Sequence, residues 1–295
     1  MLVGETLYFA NAGDTVFGVD RRTGKSVWPS QHRTPALGME IAGYAGPVVD
    51  RGLVIMAYSD GHVMAYDARD GSEKWPLSVD LAAEAEQGLA VTETLRYLDV
   101  DTTPVVDDGP RGGRVAYVAS YAGGVFALDE DSGTPVWKND RATGVYDLVL
   151  WTEPEHAVPV SVAPKVPPGA TLPKVGQRKL LFAASATTGL WALDPATGQK
   201  VWRIAVPEGG MTAPVAVAGA MLVGTSRYGL FLLAPRTGEV IDSVDLGTGF
   251  SSPPAVYGRR AYALSNGGTF LGLQVEPPTL RDRASVHVPP LMHAE

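Results

Sequence analysis

The sequence of 295 residues lacks cysteine altogether. Disulfides, thiolate metal sites and iron–sulfur clusters are therefore excluded, and so is catalysis by a cysteine nucleophile. Charged residues are also scarce, at 19%, and the formal net charge is −8. Because proteins that bind nucleic acid normally carry a basic face, this balance argues against nucleic acid as a partner. The sequence has no apolar run of the ~18 residues that a membrane-spanning helix needs, and its N-terminus lacks the basic start of a signal peptide.

The sequence is instead rich in apolar residues and in turn formers. Hydrophobic residues make up 45% of the chain, and there are 34 glycines and 23 prolines. The apolar content is enough for a folded core, and the glycines and prolines favour many short strands over long helices.

A repeated pattern runs along most of the sequence. In each good copy an apolar pair is followed by Asp, two residues, a Thr-Gly-like pair, three residues and Trp. The four good copies are TVFGVDRRTGKSVW (15–28), HVMAYDARDGSEKW (62–75), GVFALDEDSGTPVW (124–137) and GLWALDPATGQKVW (189–202). A fifth copy, GLFLLAPRTGEVID (229–242), has lost both the Asp and the Trp, and a sixth copy near 266–274 has lost still more.

A second landmark gives the length of the unit. A proline followed by a β-rich pair precedes each later copy, at 46–50, 103–107, 158–162, 213–217 and 253–257. The basic unit is about 40 residues long and offers four short strands, which is typical of a β-propeller blade. We therefore predict an all-β propeller of four-stranded antiparallel blades with six visible repeats.

We predict one propeller domain over 1–288 and a loose C-terminal tail at 289–295. The repeats are predicted near 1–28, 46–80, 103–138, 158–206, 213–246 and 253–288. Leu2 and Val3 match the β-rich pair of the later units, so the sequence begins inside a strand. Two arrangements stay open at this point: six blades that close as they stand, or a truncated eight-bladed ring.

The repeated Asp, Gly and Trp have a structural interpretation. Asp opens the turn between the third and fourth strands, where its side chain can accept amide hydrogens. Gly suits a backbone position with positive φ. Trp is large enough to fill the gap between neighbouring blades, with its N–H bonded to a nearby carbonyl. We assign this architectural role to Asp20, Gly24, Trp28, Asp67, Gly71, Trp75, Asp129, Gly133, Trp137, Asp194, Gly198, Trp202 and Gly238.

The repeat pattern resembles the PQQ-like repeat family of β-propellers across nearly the whole chain. In character it is closest to the BamB branch, the lipoprotein scaffold of outer-membrane β-barrel assembly. The resemblance implies a non-catalytic scaffold without a cofactor, with protein partners in the cell envelope and a periplasmic location at the outer membrane. Two alternatives stay open: a quinone-dependent dehydrogenase, and the ligand-sensing propeller module of a larger receptor or kinase.

The sequence favours the scaffold over an enzyme. As the resemblance implies, quinone-dependent dehydrogenases are longer, and many carry a cysteine pair beside the quinone, whereas this chain has no cysteine. No position matches their calcium ligands or their acidic base. The segment GVDRRTGKS (18–26) has the wrong glycine spacing for a phosphate-binding loop, and the five histidines are dispersed. We therefore predict no catalytic, cofactor-binding or metal-ligating residues.

Three long connections between units are the predicted binding surface. They cover 29–46, 76–103 and 138–158 and are expected to form a raised lip on one face, because long loops on a rigid scaffold often carry binding sites. Apolar spacing within 81–98 predicts a short amphipathic helix. The candidate partner-binding residues are Leu81, Leu89, Leu95, Tyr97, Tyr146, Leu150 and Trp151. If these connections only cover apolar blade ends, the opposite face, with its loop at 163–179, becomes the candidate.

Overall fold

A computed structural model describes most of the chain. The described residues are 1–11, 13–29, 31–32, 45–76, 79–81, 100, 102–109, 112–154, 178–276 and 292–293. Within these residues the chain forms 24 β-strands, β1 to β24 in chain order. None of the described segments is a helix long and apolar enough to cross a membrane.

The strands form six antiparallel sheets, and within each sheet the strands lie side by side in chain order, apart from β24. We call the strands of a sheet a, b, c and d in that order. The first three sheets consist of β1 (Leu2–Val3), β2 (Thr6–Asn11), β3 (Thr15–Asp20) and β4 (Gln31–His32); β5 (Val48–Asp50), β6 (Leu53–Ala57), β7 (His62–Asp67) and β8 (Val79–Asp80); and β9 (Val105–Asp108), β10 (Arg114–Ser120), β11 (Gly124–Asp129) and β12 (Pro135–Asn139).

The fourth sheet differs from the others because it has five strands. Its fifth strand, β24, pairs with the outer edge of β16 and comes from the end of the chain. The last three sheets consist of β13 (Val145–Thr152), β14 (Lys179–Ser185), β15 (Gly189–Leu193), β16 (Lys200–Ala205) and β24 (Met292–His293); β17 (Val215–Val217), β18 (Ala220–Thr225), β19 (Gly229–Leu233) and β20 (Val240–Val244); and β21 (Ala255–Tyr257), β22 (Arg260–Leu264) and β23 (Phe270–Gln274).

The middle strands b and c show why these segments form sheets that pack on both faces. In the second sheet, β6 reads LVIMA and β7 reads HVMAYD, and nearly every residue of both strands is buried. Such a short continuous apolar run fits a strand covered on both sides, whereas a half-exposed strand would alternate apolar and polar residues. The hairpin between them closes at Gly61, whose φ of +88° favours glycine.

Consecutive sheets are joined by four clusters of buried apolar side chains. One cluster joins the first, second and third sheets, and the others join the third to the fourth, the fourth to the fifth and the fifth to the sixth. The sheets therefore follow one another as radial blades, which confirms the predicted all-β propeller with six repeats. No cluster of the described residues joins the sixth sheet to the first.

The structure corrects two sequence assignments. Strand a of the fourth sheet is Val145–Thr152, whereas the sequence pattern predicts that this repeat begins near position 158 and that 138–158 belongs to the lip. The error arose because a β-bulge between Val145 and Asp147 breaks the alternation of the strand. The tail predicted as loose contributes β24, which pairs with Ile204 and Ala205. The single-domain boundaries stay a prediction.

Candidate protein-binding surface

Each good copy of the repeat places its tryptophan on a glycine of the following sheet. Trp28, Trp75, Trp137 and Trp202 lie on Gly71, Gly133, Gly198 and Gly238, in that order. A Cβ atom built on any of these four glycines would lie closer than 3.0 Å to the indole. All four glycines also have a positive φ, between +69° and +76°. Glycine is therefore required twice at this position, once by its backbone conformation and once by the indole above it.

We call each contact between a tryptophan and the glycine of the following sheet a joint. A hydrogen bond from the indole stabilises three of the four joints. The indole N–H of Trp75 donates to the carbonyl of Glu130 at 2.8 Å, that of Trp137 to Pro195 at 3.0 Å, and that of Trp202 to Pro235 at 2.9 Å. The acceptor is always the residue after the repeat Asp or its equivalent. The joint of Trp28 differs. Here the corresponding carbonyl, that of Ala68, accepts a hydrogen bond from the Tyr8 hydroxyl instead. The buried indole N–H of Trp28 has no partner among the described residues.

The repeat Asp organises the turn that carries this glycine. Asp20 accepts the backbone N–H groups of Arg22 and Thr23 at 3.0 and 2.8 Å, and the Thr23 bonds lower the pKa of its carboxyl group. In the second sheet, hydrogen bonds from Arg69, with a smaller contribution from Lys74, hold the pKa of Asp67 well below its usual range. These carboxylates therefore stabilise the turns by hydrogen bonds within the fold.

Two faces of the propeller are distinguished by their connections. We call the side with the b–c turns and the d–a connections the loop face, and the side with the a–b and c–d turns the hairpin face. On the loop face, the N–H of Leu81 donates to Gly61 at 3.0 Å, and the N–H of Val100 donates to Tyr58 at 3.3 Å. Leu81 and Val100 are therefore both anchored to the same turn, 58–61.

Other hydrogen bonds tie the described part of the loop face together. The Ser59 hydroxyl donates to Asp14 at 2.5 Å and joins the b–c turns of the first two sheets. Gly144, in the connection 140–144, donates its N–H to Tyr121 at 2.6 Å and accepts the N–H of Ala186 at 2.8 Å. This connection therefore bridges the b–c turns of the third and fourth sheets, and these hydrogen bonds fix its position between them.

The structure does not present the predicted binding residues as one exposed patch. Leu81 and Trp151 are buried, at 0% and 5% exposure, so these two side chains are corrected to core positions. Leu150 is half-buried. Leu89, Leu95 and Tyr97 lie outside the described residues, as does nearly all of the predicted helix 81–98.

Tyr146 has an internal role as well. Its hydroxyl donates to the carbonyl of Met211, which joins the fourth sheet to the connection that leads into the fifth. Burial raises the pKa of this hydroxyl. Because Tyr146, Leu150 and Trp151 all belong to β13, the apolar spacing that suggested exposed interface anchors reflects packing on the two faces of a strand.

The hairpin face carries an ion-pair cluster that sequence reasoning missed. Glu130 is fully buried and accepts from Arg51 at 3.2 Å, and Arg114 contacts Glu130 at 3.4 Å and Asp50 at 2.5 Å. The cluster joins the second and third sheets. Burial, together with the neighbouring Asp50, raises the pKa of Glu130. Arg51 and Arg114 lie outside the repeated Asp–Gly–Trp frame, and Glu130 occupies one of its variable positions, so the repeat pattern does not predict this cluster.

Two open cavities also lie on the hairpin side. One of about 360 Å³ is lined by residues of the third sheet, among them Gly113, Asp129 and Val136. The other, of about 290 Å³, lies between the third and fourth sheets beside Asp107 and Lys179. Across the described part of the chain, no three His, Asp or Glu residues are grouped so that they could hold a metal ion.

Comparison with known proteins gives a consistent family match. A family model described as outer membrane protein assembly factor BamB matches residues 1–189, 122–241 and 188–277. The protein of that name from Legionella pneumophila is 27% identical over 247 residues, which cover 83% of this chain and 54% of the relative. The one from Yersinia pestis is 24% identical, over 90% of this chain and 68% of the relative. The chain thus spans about half the length of the Legionella relative.

Solved structures agree on the fold. The chain is similar to BamB from Moraxella catarrhalis with a TM-score of 0.62 and 22% identity, over 92% of this chain and 70% of that one. It is also similar to a quinohemoprotein alcohol dehydrogenase from Pseudomonas putida with a TM-score of 0.51 and 17% identity, over 83% of this chain and 41% of that one. At these identities the structural likeness shows the propeller fold alone.

Proposed function

Because the chain belongs to the family described as outer membrane protein assembly factor BamB, we propose that it is a non-catalytic scaffold that supports the assembly of outer-membrane proteins. The observation that carries this proposal is the family match, which extends over residues 1–277. The proposed partners are proteins of the cell envelope, and the proposed location is the periplasm at the outer membrane.

The loop face is the proposed contact surface. Leu81 and Val100 are both hydrogen-bonded to the turn 58–61, and the connection 140–144 is fixed by bonds to two neighbouring turns. Such an arrangement gives a rigid base from which connections can contact a partner without unfolding the blades. Because Leu81 and Trp151 are buried, we propose that exposed residues of the loop face make the contacts with the partner instead.

Complementation tests the proposed function directly. The chain would be exported to the periplasm of a Legionella strain that lacks its own BamB, and outer-membrane proteins would be quantified in isolated envelopes. We expect their amounts to rise relative to a strain with the empty vector. If the exported chain is folded and stable but the amounts stay unchanged, the assembly role is wrong.

A matched pair of variants tests the surface. Arg141 and Arg22 are both exposed, and each donates its backbone N–H at 3.0 Å to the side chain two residues before it. Arg141 lies on the loop face and Arg22 on the hairpin face. We expect Arg141→Glu to reduce complementation and Arg22→Glu to leave it unchanged. The opposite result would transfer the contact surface to the hairpin face.

An activity assay tests the non-catalytic part of the proposal. Purified protein would be incubated with pyrroloquinoline quinone, calcium, an alcohol or aldose and a redox dye. We expect no dye reduction above the rate without protein. Sustained turnover that depends on the quinone would make the protein a quinone-dependent dehydrogenase and would refute the scaffold as its sole role.

A further inference from the structure

Four dipeptides of the sequence place Asp or Asn directly before glycine. They are Asp60-Gly61, Asp70-Gly71, Asp108-Gly109 and Asn266-Gly267. Such a dipeptide is open to attack by the backbone nitrogen of the glycine on the preceding side-chain carbonyl carbon, because glycine has no side chain that hinders the approach. In a folded protein, this attack also requires that the nitrogen is accessible and that its N–H is not held in a hydrogen bond.

In the three Asp-Gly dipeptides the fold holds the glycine N–H. The acceptors are the carbonyl of Tyr58 for Gly61 at 3.2 Å, that of Asp67 for Gly71 at 2.8 Å and that of Gly113 for Gly109 at 2.6 Å. Gly71 is also covered by the indole of Trp28. Each of these nitrogens would have to leave its acceptor before it could react.

The Asn266-Gly267 dipeptide differs because its glycine N–H is not held. Asn266 and Gly267 are the central residues of the turn 265–268, in which the N–H of Gly268 donates to the carbonyl of Ser265 at 2.9 Å. A turn closed in this way needs no hydrogen bond from its third residue. The Gly267 N–H has no acceptor in the described part of the chain, and both Asn266 and Gly267 are exposed.

We propose that Asn266 is a site of spontaneous deamidation. The Gly267 nitrogen gives its proton to the solvent and bonds to Cγ of Asn266, while the bond between Cγ and Nδ2 breaks. Nδ2 takes up a proton from the solvent and leaves as ammonia. Water then opens the resulting succinimide ring: cleavage between Cγ and the nitrogen gives aspartate, and cleavage between the main-chain carbonyl carbon and the nitrogen gives isoaspartate. Water is the one reagent consumed.

The side-chain amide that is lost joins the fifth and sixth sheets. Nδ2 of Asn266 donates to the carbonyl of Ser226 at 3.1 Å, and the backbone N–H of Asn266 donates to the carbonyl of Gly249 at 2.7 Å. A carboxylate has no hydrogen to donate to a carbonyl, and its negative charge is repelled by the carbonyl oxygen. The fifth repeat has Asp242 where the complete copies have tryptophan, so no repeat tryptophan supports this contact. Deamidation therefore loosens the sixth sheet from the fifth.

Incubation of the folded protein at mildly alkaline pH tests the site, because more of the attacking nitrogen is then deprotonated. Peptide mass spectrometry follows the amide, and labelling by protein isoaspartyl methyltransferase detects isoaspartate. We expect loss of the amide at Asn266 and none at Asn139, which precedes Asp140 and whose side chain donates to Gly198 at 2.7 Å. Asn266→Gln should abolish the signal, because its longer side chain would have to close a larger ring.

Asp70→Asn is the matched control. It creates the same dipeptide at another exposed position, but there the Gly71 N–H is held by Asp67 and lies beneath Trp28. We expect position 70 of this variant to keep its amide in the folded protein and to lose it in urea as fast as Asn266 does. If the variant does not fold, Asp108→Asn replaces it, since the Gly109 N–H is also held.

Hydrogen exchange measures the consequence for the fold. In the deamidated protein and in Asn266→Asp, we expect faster exchange of the backbone N–H of residue 266 and unchanged exchange in the third sheet. Three outcomes would overturn the proposal. One is that Asn266 keeps its amide in the folded protein while the chain in urea loses it. Another is equally fast deamidation at position 70 of folded Asp70→Asn, and the third is unchanged exchange at residue 266 after deamidation.

Discussion

The joint between the second and third sheets and the outer face of the sixth sheet derive from the same repeat, yet they differ in almost every contact. In the joint, Trp75 fills the space above Gly133, and the buried Glu130 lies between two arginines. On the sixth sheet, Tyr257 and Phe270 are 83% and 68% exposed. The fifth repeat, which precedes the sixth sheet, has lost its Asp and its Trp.

This difference shows what the repeat motif does. The fifth and sixth sheets still pack through a small apolar cluster that includes Phe250 and Ala261, and Asn266 donates to the backbone of Ser226 at 3.1 Å. A blade can thus be attached without the tryptophan. The tryptophan and the glycine beneath it add a large buried contact and a hydrogen bond, so the complete motif marks the joints that we expect to be most stable.

The largest expected effect comes from removing the tryptophan of the second joint. Trp75 is 2% exposed, and Trp75→Ala leaves a cavity beside Gly133, so we expect a loss of about 3–5 kcal/mol in the free energy of unfolding. Urea unfolding measures it. The control is Phe270→Ala on the sixth sheet, for which we expect a change within about 0.5 kcal/mol. Equal losses would show that the two regions are equally important for stability.

A pair of glycine substitutions separates the backbone requirement from the indole contact. Gly24 and Gly133 both have positive φ, but only Gly133 lies beneath an indole within the described residues. We expect Gly24→Ala to cost about 1–2 kcal/mol for the left-handed backbone, and Gly133→Ala to cost about 1–3 kcal/mol more because its methyl group overlaps Trp75. Chemical denaturation of both variants gives the difference, and equal costs would contradict the role assigned to the indole.

The sequence was sufficient to predict these joints because their residues recur at a fixed spacing. Asp129, Gly133 and Trp137 could be aligned with their equivalents without any structural information, and the period of about 40 residues then gave the blades. The prediction was wrong where local irregularity hid a strand. Asp147, at a bulge in β13, interrupts the apolar alternation. The later Pro159 and its flanking valines match the proline landmark that precedes the other copies, so the repeat was aligned on them instead.

Contacts between distant residues could not be predicted in the same way. The cluster of Arg51, Arg114 and Glu130 depends on two sheets meeting at one edge. The two arginines lie outside the repeated frame, and Glu130 occupies a position at which the residue varies between copies. The pairing of β24 with β16 rests on two residues at the far end of the chain. For the candidate surface, apolar spacing indicated Trp151 but could not distinguish exposure from burial in a strand.

A smaller effect is expected from pH at the second joint. Burial and Asp50 raise the pKa of Glu130 in the folded state, so the folded protein binds this proton more tightly than the unfolded chain. The stabilisation is therefore complete below the unfolded pKa of ~4.3 and is lost as pH rises through the folded pKa. We expect Glu130→Gln to reduce this loss of stability with rising pH.

Urea unfolding across the weakly acidic and neutral range measures this dependence. The matched control is Asp131→Asn, since Asp131 contacts the same Arg51 at 3.3 Å but is an exposed carboxylate. We expect the control to keep the pH dependence of the parent chain. A parallel decline in the parent and in Glu130→Gln would mean that Glu130 does not titrate differently in the folded protein.

The smallest effect on stability is expected on the outer face of the sixth sheet, where the consequence concerns solubility. Tyr257 and Phe270 are largely exposed, and Phe270 stacks on Tyr262 with 6.1 Å between ring centroids, which gives an apolar patch of the kind that promotes association. We expect the double variant Tyr257→Ser, Phe270→Ser to alter the free energy of unfolding by no more than about 0.5 kcal/mol. In light scattering at increasing protein concentration, it should aggregate later than the parent chain. Val136→Ser, which removes an exposed apolar side chain of the third sheet, should leave aggregation unchanged. If the double variant aggregates as the parent does, the exposed rings of the sixth sheet do not cause association. The sixth sheet and the second joint would then differ in how tightly their side chains pack and not in their tendency to associate.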